Sequence, residues 1–142
     1  NDVKYEEGEL KAIGYRKGVQ VMQEKMETTG EPYAFKIETD KTALQSDNRD
    51  VVHLTISVVD KNGLPVPNAN TTFNLKLSGD AKLLGIDNGD PLFVGDFKQT
   101  DNRVLFNGLA LAILQSTRKQ GVVDVEVSGE NIRTATVKLQ VE

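Results

Sequence analysis

Residues 51–59 read VVHLTISVV, a run in which apolar side chains occupy every second position. Because successive side chains of a β-strand point to opposite faces, this period of two predicts a strand with one face in a core and one face in water. The predicted core face consists of Val52, Leu54, Ile56 and Val58. A strand with one wet face is typical of an antiparallel sheet.

The same period of two recurs along the chain, at residues 72–78, 123–128 and 134–141. Residues 109–114 are apolar at every position, which predicts a central strand covered on both faces. Asn-Gly pairs, which tolerate positive φ, separate these segments at 62–63, 88–89 and 107–108. Short alternating strands without a helical period predict an all-β fold, a sandwich or a barrel. The chain length suits an immunoglobulin-like antiparallel β-sandwich of about 100 residues, and this is the predicted fold.

The composition excludes several classes of protein. The chain has 142 residues and no cysteine, so it is too short for a catalytic (β/α)₈ barrel of about 250 residues and holds no disulfide or thiolate metal site. The net charge is −4 without a basic block, so nucleic acid is not an expected partner. No apolar run approaches the length that crosses a bilayer, so no membrane partner is expected.

A domain boundary is predicted near residues 28–32, which read TTGEP. The residues before it have the pattern of a β-hairpin, and two strands alone are marginally stable in water. We therefore assign residues 1–30 to the C-terminal end of a preceding domain and residues 31–142 to the sandwich, and we expect a longer protein. The hairpin should pack back onto the sandwich or pair with a second chain, and the short linker with Pro32 favours the homodimer.

Three motifs of the sandwich resemble the C-terminal region of bacterial glycoside hydrolase family 2 enzymes. They read VVDKNGLPVPNA at 58–69, LGIDNGDP at 84–91 and FNGLAL at 106–111. The run GELKAIGY at 8–15 is similar to the end of the immunoglobulin-like domain that follows the catalytic barrel in those enzymes.

The resemblance implies a non-catalytic structural accessory domain of a bacterial parent enzyme, a β-galactosidase or a close relative, in the periplasm or outside the cell. Its partners would be the other domains of that enzyme, and no cofactor is implied. Retaining members use two glutamates in the barrel, and no position here matches those motifs, so no catalytic residue is carried over. Two alternatives stay open: a carbohydrate-binding module of the same enzyme, and an immunoglobulin-like stalk domain of a bacterial surface adhesin.

One loop holds the weak candidate for a cation site. Asp87, Asn88 and Asp90 place oxygen donors beside Gly89, and Ca²⁺ binds oxygen ligands. The alternative is turn chemistry, in which the side chains of Asp87 and Asn88 accept hydrogen bonds from local backbone amides.

Phe93, Phe97 and Phe106 lie around the same loop and are candidates for a sugar site or an interface. The alternative is that they fasten a long loop to the edge of the sandwich. His53 is the only histidine and has no partner signature, so we interpret it as a residue of the sheet surface. Adjacent Glu6 and Glu7 are interpreted as solvated loop acids.

Overall fold

The computed structural model describes residues 4–98 and 101–142. These residues form eleven strands. In chain order the strands are β1 (Glu9–Arg16), β2 (Val19–Glu27), β3 (Ala34–Thr39), β4 (Ala43–Leu44), β5 (Val51–Val59), β6 (Thr72–Ser78), β7 (Ala81–Asp87), β8 (Asn102–Val104), β9 (Leu109–Ser116), β10 (Gly121–Gly129) and β11 (Ile132–Val141). In the same part of the chain, no helix is long and apolar enough to cross a membrane.

Strands β3 to β11 form a sandwich of two layers. One layer has the order β7-β9-β5-β3, and the other has the order β11-β10-β6-β8 with the short β4 parallel to the far end of β11. The layers meet at one side, where β3 pairs in parallel with β11 through Ala34 and Arg133. The remaining pairings are antiparallel. The predicted all-β, immunoglobulin-like sandwich is therefore confirmed.

The core lies between the layers and follows the alternation read from the sequence. Val52, Leu54, Ile56 and Val58 of β5 have no exposed surface. They share one cluster with Phe73 and Leu75 of β6 and with the valines of β10. The rings of Phe35 and Phe73 are 6.3 Å apart in this cluster.

Strand β9 differs from its prediction. It is central in its layer, between β5 and β7, but only Ala110, Ala112 and Leu114 are fully buried among its apolar residues. Leu109 is 49% exposed, and Leu111 and Ile113 are half-buried. The expectation of cover on both faces was wrong, because no second sheet formed by the described residues packs on the outer face of this layer.

Strands β1 and β2 form a separate two-stranded sheet. Their turn has positive φ at Lys17 (51°) and Gly18 (77°). No residue of either strand is buried, so the hairpin does not fold back onto the sandwich.

Candidate functional site

A buried carboxylate joins the hairpin to the sandwich. Asp60, the residue that follows β5, is 3% exposed. Its Oδ2 accepts a hydrogen bond of 2.9 Å from the backbone N–H of Gly30, in the linker. Its Oδ1 accepts bonds from the N–H groups of Asn62 (2.8 Å) and Leu64 (2.9 Å), which close the turn after β5. One side chain therefore holds the linker and the turn together.

The hydrogen bonds to Asp60 favour its ionised form. The Gly30 amide has the largest effect and, with the amides of the turn, lowers the pKa of Asp60 below its ordinary value of 3.8. Burial acts in the opposite direction and is outweighed. Hydrogen bonds from backbone N–H groups thus stabilise Asp60 as a carboxylate.

Further contacts fix both ends of the linker. On the hairpin side, the Thr28 N–H donates to the Gly8 carbonyl at 2.9 Å, and the Thr28 hydroxyl oxygen accepts from Gly8 N–H at 3.0 Å. On the sandwich side, Tyr33 N–H donates to the Val59 carbonyl at 2.9 Å, and Lys61 lies 5.9 Å from the Tyr33 ring centre. A groove of about 880 Å³ lies between the base of the hairpin and residues 66–68, and its rim includes the exposed Glu6 and Glu7.

A second structural centre closes the open side of the sandwich. Strands β7 and β8 are the two ends of the strand order, and Arg103 of β8 connects them. Its guanidinium donates to the Ile86 carbonyl of β7 at 3.1 Å and to the Asp96 carbonyl at 2.6 Å. The guanidinium carbon lies 4.4 Å from the ring centre of Phe93 and 5.6 Å from that of Phe97. We call Arg103, Phe93 and Phe97 the arginine latch.

The loop of the latch also covers the free edge of β7. Ile86 N–H donates to the Phe97 carbonyl at 3.0 Å. Gly85 allows this approach, because a Cβ there would lie 2.5 Å from the same carbonyl oxygen. Covering an edge strand in this way removes a site of unwanted strand pairing.

The structure divides the three candidate phenylalanines, Phe93, Phe97 and Phe106, into two sets. The rings of Phe93 and Phe97 contact each other edge to face at 5.1 Å inside the latch. Phe106 pairs through its backbone with Leu109 at the following turn, and within the described residues its ring contacts neither of the other two. The geometry of the first two is that of aromatic residues fastening a loop.

The oxygen donors of Asp87, Asn88 and Asp90 are directed to local backbone amides. Asp87 Oδ1 accepts from Gly89 N–H at 2.9 Å, Asn88 Oδ1 accepts from Asp90 N–H at 3.1 Å, and Asp90 Oδ1 accepts from Leu92 N–H at 2.9 Å. The Asn88 amide nitrogen donates to the Val104 carbonyl at 2.9 Å. In the described ranges, no three His, Cys, Asp or Glu residues converge as a metal site would require.

His53 has a partner that the sequence did not indicate. Its Nδ1 lies 2.7 Å from Asp40 Oδ2, and its backbone N–H donates to Asp40 Oδ1 at 3.0 Å. The histidine contact lowers the pKa of Asp40. The register that pairs Thr39 with Leu54 places these residues side by side, and a strand-pairing prediction would have found them. Both side chains are exposed, and in the described part of the chain no hydroxyl group hydrogen-bonds to this histidine.

Comparison with known proteins identifies the family. The family model for the glycoside hydrolase family 2 C-terminal domain 5 matches residues 35–138. A β-galactosidase of Bacteroides ovatus is 30% identical over 140 residues, which are 99% of this chain and 16% of that protein. A β-glycosidase from Bacteroides vulgatus has a TM-score of 0.91 at 27% identity, over 98% of this chain and 18% of that structure. A β-glucuronidase from glycoside hydrolase family 2 has a TM-score of 0.85 at 25% identity, over 100% of this chain and 15% of that structure.

The match covers most of this chain, whereas the chain spans less than a fifth of each of these three relatives. The resemblance read from residues 58–69, 84–91 and 106–111 is confirmed, because the family model covers all three motifs. The chain belongs to the glycoside hydrolase family 2 C-terminal domain 5 family.

Proposed function

We propose that this chain is a non-catalytic accessory domain of a bacterial glycoside hydrolase family 2 enzyme that acts on β-galactosides in the periplasm or outside the cell. Its role is mechanical: residues 31–142 form the accessory domain, and residues 1–30 end the domain before it. The observation that carries this proposal is the joint at Asp60, where one buried carboxylate ties the linker to the sandwich.

The joint supports a positioning role because three backbone amides in and beside the linker have defined partners. A flexible Gly-containing linker would let two domains move independently. Here the amides of Gly30, Thr28 and Tyr33 are all satisfied by defined partners on one side or the other. A neighbouring domain attached through residues 1–30 would therefore be held at a fixed angle.

The acidic residues give little support to a catalytic role. Retaining glycosidases use two carboxyl groups about 5–5.5 Å apart in a cleft, one of them an acid of raised pKa. Glu9 and Glu27 are opposite each other on the hairpin, but they lie on an open sheet face. Contacts with Lys11 and Lys25 lower the pKa of Glu9, which is the wrong direction for a general acid.

The carbohydrate-binding alternative has less support than the structural role. Sugar stacking requires an open aromatic face. The ring of Phe93 is occupied by the Arg103 guanidinium and by the edge contact with Phe97. The loop presents the aliphatic side chains of Leu92 and Val94 to solvent more fully than the ring of Phe97, which is 39% exposed.

Three proteins test the proposal: the full-length enzyme, a variant without residues 31–142, and the isolated chain. We expect the isolated chain to hydrolyse neither 4-nitrophenyl β-galactoside nor the β-glucuronide. Removing residues 31–142 should lower the thermal tolerance of the enzyme but change kcat by less than about tenfold, or about 1.4 kcal/mol in activation free energy. Turnover by the purified isolated chain, or binding of galactosides to it, would contradict the proposal.

A further inference from the structure

Three Asn-Gly pairs of the chain can undergo a reaction that the accessory role does not use. They are Asn62-Gly63, Asn88-Gly89 and Asn107-Gly108. The backbone nitrogen of the glycine can attack the side-chain carbonyl carbon of the asparagine, because glycine has no side chain to obstruct the approach. A new C–N bond forms, the side-chain amide C–N bond breaks, and the glycine N–H proton leaves with the ammonia. Water then opens the resulting succinimide ring to aspartate or to isoaspartate.

The side chain of Asn88 is held in a position that opposes this reaction. Its nitrogen donates to the Val104 carbonyl at 2.9 Å, and its oxygen accepts from Asp90 N–H at 3.1 Å. The attacking group is occupied as well, since Gly89 N–H donates to Asp87 Oδ1 at 2.9 Å. Ring closure at Asn88 would have to break all three bonds.

The backbone of Asn107-Gly108 is held by close packing. Gly108 is buried, and its N–H donates to the Ala69 carbonyl at 2.8 Å. A Cβ on Gly108 would lie 2.2 Å from the carbonyl oxygen of Val66, so two stretches of backbone touch at this point. Ring closure at Asn107 would require this contact to open first.

Asn62-Gly63 lacks both kinds of protection. Both residues are exposed, and a Cβ on Gly63 would meet no atom within 4 Å. Within the described ranges, the side chain of Asn62 makes no hydrogen bond. The Gly63 N–H donates to the Asp60 carbonyl at 3.1 Å, in a turn whose residues 61–63 are exposed. Opening an exposed turn requires less free energy than opening packed backbone.

We propose that Asn62 is a site of spontaneous deamidation, and that isoaspartate formed there releases the joint at Asp60. Isoaspartate routes the backbone through its side chain, which adds one carbon atom between the Cα of residue 62 and the nitrogen of Gly63. Asp60 Oδ1 accepts from N–H groups on both sides of this insertion, Asn62 at 2.8 Å and Leu64 at 2.9 Å. One oxygen atom cannot keep both short bonds when the two N–H groups move apart.

The change at the turn reaches the linker through the same carboxylate. Asp60 Oδ2 accepts from Gly30 N–H at 2.9 Å, and the bonds of Oδ1 hold the side chain in the orientation that makes this contact. Once the turn releases Oδ1, the bond to Gly30 should open more often. The consequence for a neighbouring domain rests on the proposed function, whereas the reaction at Asn62 does not.

Trypsin separates the three pairs for mass spectrometry. Its cleavage yields the peptides 62–76, 83–98 and 104–118, each with one Asn-Gly pair. The folded chain, and the chain unfolded in guanidinium chloride, are incubated at mildly alkaline pH, and the deamidated fraction of each peptide is followed in time. We expect similar rates for the three pairs in guanidinium chloride. In the folded chain we expect Asn62 to react at least about tenfold faster than Asn88 and Asn107.

Hydrogen exchange at the Gly30 amide, followed by NMR, measures the effect on the joint. Chromatography separates the isoaspartate form of the chain from the unreacted form. In the isoaspartate form, exchange at Gly30 should be at least about tenfold faster. Asn62→Asp adds the charge without the extra carbon atom, and Asn62→Ser cannot deamidate, so both variants should keep the protection of Gly30.

A rate at Asn62 in the folded chain equal to the rates at Asn88 and Asn107 would overturn the proposed site. Unchanged exchange at Gly30 in the isoaspartate form would overturn the effect on the joint. An equal loss of protection in Asn62→Asp would also overturn it, because charge rather than backbone length would then be the cause. The accessory role is measured separately, by the activity of the enzyme lacking residues 31–142, so either proposal can fail alone.

Discussion

Replacing Arg103 with methionine should open the side of the sandwich that the arginine latch closes. The change removes two hydrogen bonds from a charged donor, at 3.1 and 2.6 Å, and the contact of the guanidinium with Phe93 at 4.4 Å. Hydrogen bonds of this kind are each worth about 1.5–3 kcal/mol, and a cation–π contact adds about 0.5–2 kcal/mol. Methionine keeps the packing of the aliphatic stem, and the cost of burying a charge disappears, so we expect a net loss of about 3 kcal/mol.

Urea denaturation followed by far-UV circular dichroism measures this loss. The midpoint should fall with an unchanged m-value, because the same surface is exposed on unfolding. For a chain of this size, a loss of 3 kcal/mol lowers the Tm by about 6–12 °C. The stability of Arg103→Lys should lie between that of the unchanged protein and that of Arg103→Met, because an ammonium group keeps the charge but lacks the planar guanidinium fork.

Arg118→Met is the matched control, because Arg118 is exposed and its replacement should change stability by less than about 0.5 kcal/mol. Hydrogen exchange adds a local measurement, in which the Ile86 amide, bonded to the Phe97 carbonyl, should lose protection in Arg103→Met. A loss below about 0.5 kcal/mol for Arg103→Met, or an unchanged Ile86 amide, would refute the role of the latch.

Three further predictions concern the core, the carboxylates and the hairpin. Leu75→Ala should cost about 2–5 kcal/mol in urea denaturation, since Leu75 is 3% exposed; a loss under about 0.5 kcal/mol would place it on the wrong face. Folding lowers the pKa values of four carboxyl groups, those of Asp40, Asp47, Asp50 and Asp60. Their contribution to the stability of the folded state is therefore complete above the unfolded pKa of 3.8 and disappears as the pH falls through the folded pKa values. The Tm should therefore be flat from about pH 7 to 5 and fall below about pH 4, and a rise in that acid range would contradict the assignment. Light scattering should detect a weak dimer of residues 1–142, whereas a variant beginning at Glu31 stays monomeric; a dimer of the shorter variant would exclude the hairpin as the contact.

The alternation in residues 51–59 was enough to assign the core face of β5, because a period of two reports burial directly. The uniform apolar run of β9 was misleading, since composition cannot distinguish a buried outer face from a partly exposed one. Turn chemistry for Asp87 and Asn88 was one of two alternatives, and their short-range hydrogen bonds are of the kind that sequence can indicate.

The two centres that organise the molecule were not found from the sequence. Gly30 and Asp60 are 30 residues apart, and Arg103 lies 17 residues from its partner Ile86. An isolated aspartate after a strand, or one arginine in a short strand, gives no local signal of such a contact. Strand order has to be known first, because it is the pairing of distant strands that brings these groups together.

The central claim, that Asp60 fixes the hairpin relative to the sandwich, can be measured by distance between spin labels. The chain has no cysteine, so Gln23→Cys on the hairpin and Glu126→Cys on the sandwich give a single labelled pair. Asp60→Asn tests the joint selectively. The side-chain oxygen of the asparagine can still accept hydrogen bonds from the turn, whereas its NH₂ group cannot accept the hydrogen bond from Gly30 N–H. Asp87→Asn is the control, because Asp87 accepts a similar amide bond without touching the linker.

We expect electron–electron double resonance to give one narrow distance distribution for the labelled chain and for Asp87→Asn, and a broad one for Asp60→Asn. A second label pair within the sandwich, at Lys36 and Glu126, should keep one distance in all three proteins. A distribution that is already broad with Asp60 in place, or that stays narrow in Asp60→Asn, would contradict the account.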